Sequence, residues 1–322
     1  MPKSRARHPR LVAGALLISA LFMAGCAPFT PPAESNSNAN SNANGNASGA
    51  VDDRPLVVTT FTVIADMVSQ VAGDRVRVES ITRVGAEIHG YEPIPGDLVR
   101  AGGADLIIDN GLGLEAWFEQ FLSNIDVPRV VASEGVVPIV IAGSATNAPN
   151  PHAWMSPVAA ERYITNIRDA LIQLDPAGEG VFTERAENYI VELRAVADEL
   201  RVAVDQLPES RRALVTCEGA FSYLARDLGL AEAYIWPVNA EQQATPQRVV
   251  AAIDFVRERD VPAVFCESTV ASDAMQQVAE SAGVRLAGVL FVDSLSEPDG
   301  PVPDYLSLLR YDIDLIIEGL LS

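Results

Sequence analysis

Lysine is all but missing from this chain of 322 residues; Lys3 is the only one. Together with Arg5, Arg7 and Arg10 it makes the first ten residues basic. The remainder sets 19 arginines against 43 acidic residues, a formal charge of −24. A body of that sign repels phosphate backbones, so nucleic acid is excluded as a partner. Acidity can attract cations, but taken alone it reads as a solvated surface. Histidine and cysteine are scarce, at three each. The chain has neither a Walker A pattern nor a Gly-rich nucleotide fingerprint, so any ATP hydrolysis belongs to another polypeptide. Apolar residues are not scarce: at 48% they can fill ordinary globular cores, and the length suits about two domains.

One long apolar run is present. Leu11 to Gly25 follows the basic start and ends at Cys26, the pattern of a secretory signal. Fifteen residues are too few for an ordinary membrane span, and no other stretch is long and apolar enough. Arg5 and Arg7 are not adjacent, so a twin-arginine route is not supported. Leu21-Phe22-Met23-Ala24-Gly25-Cys26 resembles a bacterial lipobox, which makes residues 1–25 a lipoprotein signal peptide and Cys26 the lipidated residue. The plainer alternative is an ordinary signal with an incidental cysteine. Residues 26–54 are rich in Asn, Ser, Ala and Gly and cannot offset their chain entropy by burial. They read as a flexible tether, placing the protein outside the cytoplasm on a lipid anchor, facing the periplasm or exterior.

From Pro55 onward short apolar strands alternate with amphipathic helices, as in parallel βα units. Leu56–Thr60, Val76–Ile81 and Leu106–Asp109 are strand candidates; Val63–Val71 and a segment opening at Pro157 are helices. Phe182, Ala186, Tyr189, Leu193, Ala197, Leu200, Val204 and Leu207 then recur at helical spacing, marking one long helix over 180–207 that stops at Pro208. A second series follows, with strands at Ala213–Thr216, Ala233–Trp236, Ala263–Cys266 and Leu286–Phe291. Thr245-Pro246 opens a helix to Arg257, and a last helix occupies 304–320. The fold class is therefore α/β. An N-terminal lobe (55–179) and a C-terminal lobe (208–322), each with a parallel-rich sheet, are joined by one rigid helix.

Once the signal is removed, His89 and His152 are the only histidines. Both sit in proline-punctuated loops, GAEIHGYEPIP and NAPNPHAWMSP. Glu218 in LVTCEGAF and Asp293 in LFVDSLS follow strand candidates of the second lobe. Ligands of open α/β sheets bind beyond the carboxyl ends of strands. Two imidazoles from one lobe and two carboxylates from the other would make a divalent-metal site in the cleft. Spacing alone is weak support, because a lone histidine is more often a surface or capping residue.

The surrounding text is more specific. GAEIHGYEPIPGDL, AGGADLIIDNGLGLEAWF, NPHAWMSP, EGAFSYLARDLGL, NAEQQATPQRV and LFVDSLS closely resemble the metal-binding solute-binding lipoproteins of bacterial Mn/Zn/Fe ABC importers, in order, from Leu56 to the C-terminus. The resemblance implies two α/β lobes with a metal between them and assigns His89, His152, Glu218 and Asp293 as ligands. Zinc-selective members have a third histidine where Glu218 stands and a His-rich acidic loop. This chain has neither, so it resembles the manganese branch, with Mn²⁺ the expected cargo and Zn²⁺ or Fe²⁺ the alternatives. An ABC permease and its ATPase are the implied partners of a monomeric receptor. Gly96 in PIPGDL replaces a common serine and is expected to cap the following helix. Tyr91, Glu92, Glu115, Glu267, Trp154 and Trp236 are read as structural neighbours rather than ligands.

A receptor whose donors fill the coordination sphere needs no open position for water, whereas a metallohydrolase does. The chain is accordingly read as a non-enzyme, with hydrolase and surface adhesin as rival classes. Cys217 and Cys266 each precede a glutamate. Export to an oxidising compartment favours a disulfide between them, and two small buried hydrophobes are the alternative.

Overall fold

Leu56–Thr59 (β1) is buried at all four positions, as a strand covered on both faces must be. It lies inside a parallel sheet of order β2-β1-β3-β4, with β2 at Arg77–Ser80, β3 at Leu106–Asp109 and β4 at Arg129–Val131. Helices α1 (Thr62–Ala72), α2 (Pro95–Gly102), α3 (Ala116–Leu122) and α4 (Pro157–Leu174) complete this lobe. The computed structural model describes residues 52–122, 125–142, 146–238 and 244–322. The signal peptide, Cys26 and nearly all of the tether lie outside the described residues, as do Asn239–Gln243 of the NAEQQATPQRV motif. No helix among the described residues is long and apolar enough to cross a membrane.

Two helix starts bear on the site. Ser156 caps α4, its hydroxyl accepting from the Ala159 N–H at 3.0 Å, and Pro157 follows at the first helical position. At α2 the expected cap is wrong. Ile94 is the cap residue, Pro95 opens the helix, and Gly96 lies inside the first turn. The capping is done from within by Asp97, whose carboxylate accepts from the Ile94 N–H at 2.9 Å.

Helix α5 (Glu179–Asp205) has 27 residues and is therefore ~40 Å long. Its buried stripe is Phe182, Ala186, Tyr189, Leu193, Val196, Leu200 and Val204. The 3.6-residue period brings Val196 to the centre of the stripe and leaves the expected Ala197 half-buried. The stripe packs on α1 and α4 of the first lobe and on the last helix of the second.

The second series comprises β5 (Ala213–Glu218), α6 (Ser222–Leu228), β6 (Ala231–Trp236), α7 (Pro246–Glu258), β7 (Ala263–Glu267), α8 (Asp273–Ala282), β8 (Arg285–Leu290) and α9 (Tyr305–Leu321). Its strands form two parallel ladders, β5–β6 and β7–β8, rather than one sheet. The ladders meet at β5 and β7. There Cys217 and Cys266 are disulfide-bonded with their Cα atoms 4.9 Å apart, and the Glu218 N–H turns to the Glu267 carboxylate instead of a strand carbonyl.

Candidate metal centre

The four expected ligands arrive from four separate segments. Glu218 is the last residue of β5, and Asp293 lies three residues beyond β8. His89 sits in the loop between β2 and α2, and His152 immediately precedes a short 3-10 turn (Ala153–Met155) that leads into α4. All four side chains are buried to within 1% of full enclosure. The two imidazole Nε2 atoms are 3.0 Å apart. Glu218 Oε1 lies 3.4 Å from His89 Nε2 and 3.9 Å from His152 Nε2; Asp293 Oδ1 lies 3.9 and 3.8 Å from the same atoms. A cation held ~2.1 Å from each donor separates neighbouring donors by ~3.0 Å at a right angle and ~3.4 Å at the tetrahedral angle. The observed spacings run from those values to about half an ångström beyond, the fit expected of a metal centre.

Neighbouring groups aim these donors. Asn150 Oδ1 accepts from both the His152 backbone N–H, at 3.0 Å, and ring Nδ1, at 2.9 Å. That contact keeps the proton on Nδ1 and leaves the Nε2 lone pair for a ligand. Glu87 accepts from the His89 and Gly90 backbone N–H groups and so shapes the first histidine loop. Its carboxylate also lies within 4.8 Å of donor atoms of His89 and Asp293. Glu267 receives the Glu218 N–H, while Thr269 donates to Asp293 Oδ2 at 3.0 Å. Asp293 Oδ1, by contrast, is buried and accepts no hydrogen bond from any described residue. An acceptor buried in that state calls for a cation or a proton.

Electrostatics favour the same conclusion. Burial, helped by the adjacent His89 ring, holds His152 well below the usual imidazole range, so it is neutral and able to ligate. Burial pushes Asp293 up to about 7; His89 opposes the shift and the Glu218 charge adds to it. Burial first, then Glu218, drives Glu267 well above the usual carboxylate range. A divalent cation at the centre would neutralise the crowded carboxylates and displace the proton.

The other singled-out residues are structural. Glu92 is exposed, and Tyr91 donates to Asp97 at 2.9 Å. Glu115 accepts from Thr60, the Asn110 N–H and the Gly111 N–H, pinning the turn after β3. Trp154 packs beside Phe61 with ring centroids 4.9 Å apart, and Trp236 is buried at the end of β6. Sequence reasoning missed Asn150, Thr269 and the support that Glu267 gives to Glu218. Asn150 was legible in principle, since an amide two residues before a histidine can reach both its backbone and its ring.

Comparison with known proteins gives a consistent picture. Residues 57–319 match the family described as ZnuA, zinc-uptake complex component A periplasmic. The chain is 49% identical over 265 residues to the iron-binding protein YfeA of Yersinia pestis, covering 82% of this chain and 85% of that protein. It is 31% identical to the manganese-binding lipoprotein MntA of Halalkalibacterium halodurans, covering 82% and 88%. The Mn-bound periplasmic metal binding protein from candidatus Liberibacter asiaticus superposes with a TM-score of 0.78 at 34% identity, covering 83% of this chain and all of that one.

Proposed function

The chain belongs to this family of periplasmic metal-uptake components, and from that premise we propose that it captures Mn²⁺ through His89, His152, Glu218 and Asp293. As a family member it is the metal-binding component of an ABC importer and not an enzyme. The observation that carries the ligand assignment is the buried cluster of two imidazole nitrogens and two carboxylate oxygens, every measured nitrogen–nitrogen and nitrogen–oxygen pair 3.0–3.9 Å apart. Imidazole suits Zn, Fe and Cu, whereas carboxylates draw a site toward harder ions. Each carboxylate can bind through both oxygens and raise the donor number from four toward six. Octahedral oxygen-rich coordination suits Mn²⁺, while structural zinc sites close at four. Export, a lipid on Cys26 and the tether would keep a monomeric receptor beside the permease and its ATPase.

Fe²⁺ is the second reading, favoured by the 49% identity to a protein named as iron-binding. Zn²⁺ outranks both in intrinsic affinity for almost any such site, so supply and geometry must decide. Protein stripped with chelator and offered Mn²⁺ alone under anaerobic conditions should take up one equivalent. Metal analysis of protein recovered from cells should find mainly manganese. Predominant iron in that material would move the assignment to the second reading, and predominant zinc would overturn both.

A further inference from the structure

One five-residue segment reaches the backbone beside both carboxylates of the cluster. Asn150 and Trp154 flank His152 by two residues on either side, and each sends a side-chain N–H across to the other lobe. Asn150 Nδ2 donates to Gly219 O at 2.6 Å, the carbonyl directly after Glu218. Trp154 Nε1 donates to Val292 O at 3.0 Å, the carbonyl directly before Asp293. The amide orientation of Asn150 is dictated by its partners. The His152 backbone N–H can only donate, so it must meet Oδ1; the Gly219 carbonyl can only accept, so it must meet Nδ2. Neither residue can drift: Asn150 is 2% exposed and Trp154 is fully buried. The Tyr223 hydroxyl donates to the Asn150 carbonyl at 2.7 Å, and the Tyr305 hydroxyl donates to the Trp154 carbonyl.

We propose that Asn150 and Trp154 are positioning residues that bracket His152 and fix its distance to Glu218 and Asp293, thereby setting which divalent ion the centre prefers. This rests on the metal-capture reading above. The two bonds act on different ligands, Asn150 on the His152 tautomer and Glu218, Trp154 on Asp293. Without them the carboxylates keep their chemistry but lose their register with the imidazoles. An ion that needs more than four donors suffers most from that loss, and an ion satisfied by a tetrahedron suffers least.

Asn150→Ala removes both amide contacts, and Asn150→Asp keeps the acceptor for His152 while removing the donor to Gly219. Trp154→Phe keeps an aromatic ring in the core but loses the N–H and part of the ring volume. Metal titrations of these variants, in full-length exported protein with the tether present, should show Mn²⁺ bound 10–100-fold more weakly, with Zn²⁺ weakened several-fold less. Histidine ¹⁵N spectra of the metal-free protein should show His152 protonated on Nδ1 in wild type and shifted toward Nε2 protonation in Asn150→Ala. A purely structural role would lower melting temperature while leaving the Mn²⁺ to Zn²⁺ ratio and the tautomer alone. That result, in whichever of the three variants fold, overturns the proposal. His152→Ala is the control that separates the two levels. If it binds Mn²⁺ like wild type, the capture reading fails and this inference with it. If it loses Mn²⁺ while Asn150→Ala and Trp154→Phe keep wild-type affinity and ratio, only the inference falls.

Discussion

At the scale of single residues the proposed centre draws its four donors from four segments, one residue from each. Changing His89, His152, Glu218 or Asp293 singly to Ala should weaken Mn²⁺ binding at least tenfold, about 1.4 kcal/mol, whereas Glu92→Ala should leave it nearly unchanged. Calorimetry decides the matter, and wild-type affinity in His152→Ala would mean the site is elsewhere. A different residue ties stability to pH. Glu232 on β6 accepts from the Ser222 hydroxyl at 2.8 Å, but its Oε1 is buried and accepts no hydrogen bond from any described residue. Burial pushes its carboxyl up to about 7 from 4.5. A folded-state value raised above the unfolded one favours the folded protein fully below 4.5 and loses that contribution as pH climbs through 7. Glu232→Gln should therefore match wild type at pH 4.5 and exceed it at pH 8, by up to ~3 kcal/mol. Denaturant melts of metal-free protein at the two pH values test the sign; a gap that is equal at both would remove Glu232 as the cause.

At the scale of elements, the disulfide ties β5 to β7 at the residues just before Glu218 and Glu267. Closing a loop of about 50 residues is worth ~4 kcal/mol in the chain-entropy model, whose basis is disputed. Its local consequence matters more. The Glu267 carboxylate that holds the Glu218 N–H depends on the two strand ends staying level. A dithiol that reduces the pair should loosen Glu218, so Mn²⁺ titration after reduction should be weaker than before. Peptide mapping without reductant should recover Cys217 joined to Cys266; unchanged affinity in the reduced protein would limit the bond to a stabilising role. Most elements were readable from sequence because each carries a local physical signal. The apolar stripe of α5, the Ser156-Pro157 and Thr245-Pro246 starts, and the buried runs of β1, β3, β5 and β7 all announce themselves by period or punctuation. Strand β4 did not, because Arg129–Val131 is three residues long and has no buried position. The cap of α2 was misassigned because Asp97 acts from inside the helix, which a search for a polar cap residue overlooks. The four donors of the proposed site stand out in the sequence only because so few histidines are available to choose from and the flanking motifs are distinctive. Asn150 and Trp154 act through carbonyls about 70 and 140 residues away, and no local pattern encodes such contacts.

At the scale of the whole molecule the question is how an ion held at the proposed centre would be released. Helix α5 is not an exposed strap between two bodies, since its buried stripe packs on α1 and α4 at one side and on α9 at the other. The lobes are also stitched together away from it. The Gly85 N–H meets Ser294 Oγ at 2.7 Å, the Leu295 N–H meets Thr62 Oγ1 at 2.9 Å, and the Tyr305 N–H meets Asp66 Oδ2 at 3.0 Å. The bonds of Asn150, Trp154 and Tyr223 add to these. A wide hinge opening would break all of them at once, each worth about 1 kcal/mol net and more where a buried partner is stranded, and would bend a helix of seven turns. Local motion is cheaper. The loop after β8 carries Asp293, and the His89 loop has no regular structure of its own between β2 and α2. Either can withdraw a donor while the lobes stay together. Solution scattering of metal-free and Mn²⁺-loaded protein should therefore give nearly equal radii of gyration, and hydrogen exchange should slow on loading mainly in residues 84–92 and 291–296. A large compaction on loading would show that the helix does act as a hinge and that the interlobe bonds form only around the metal.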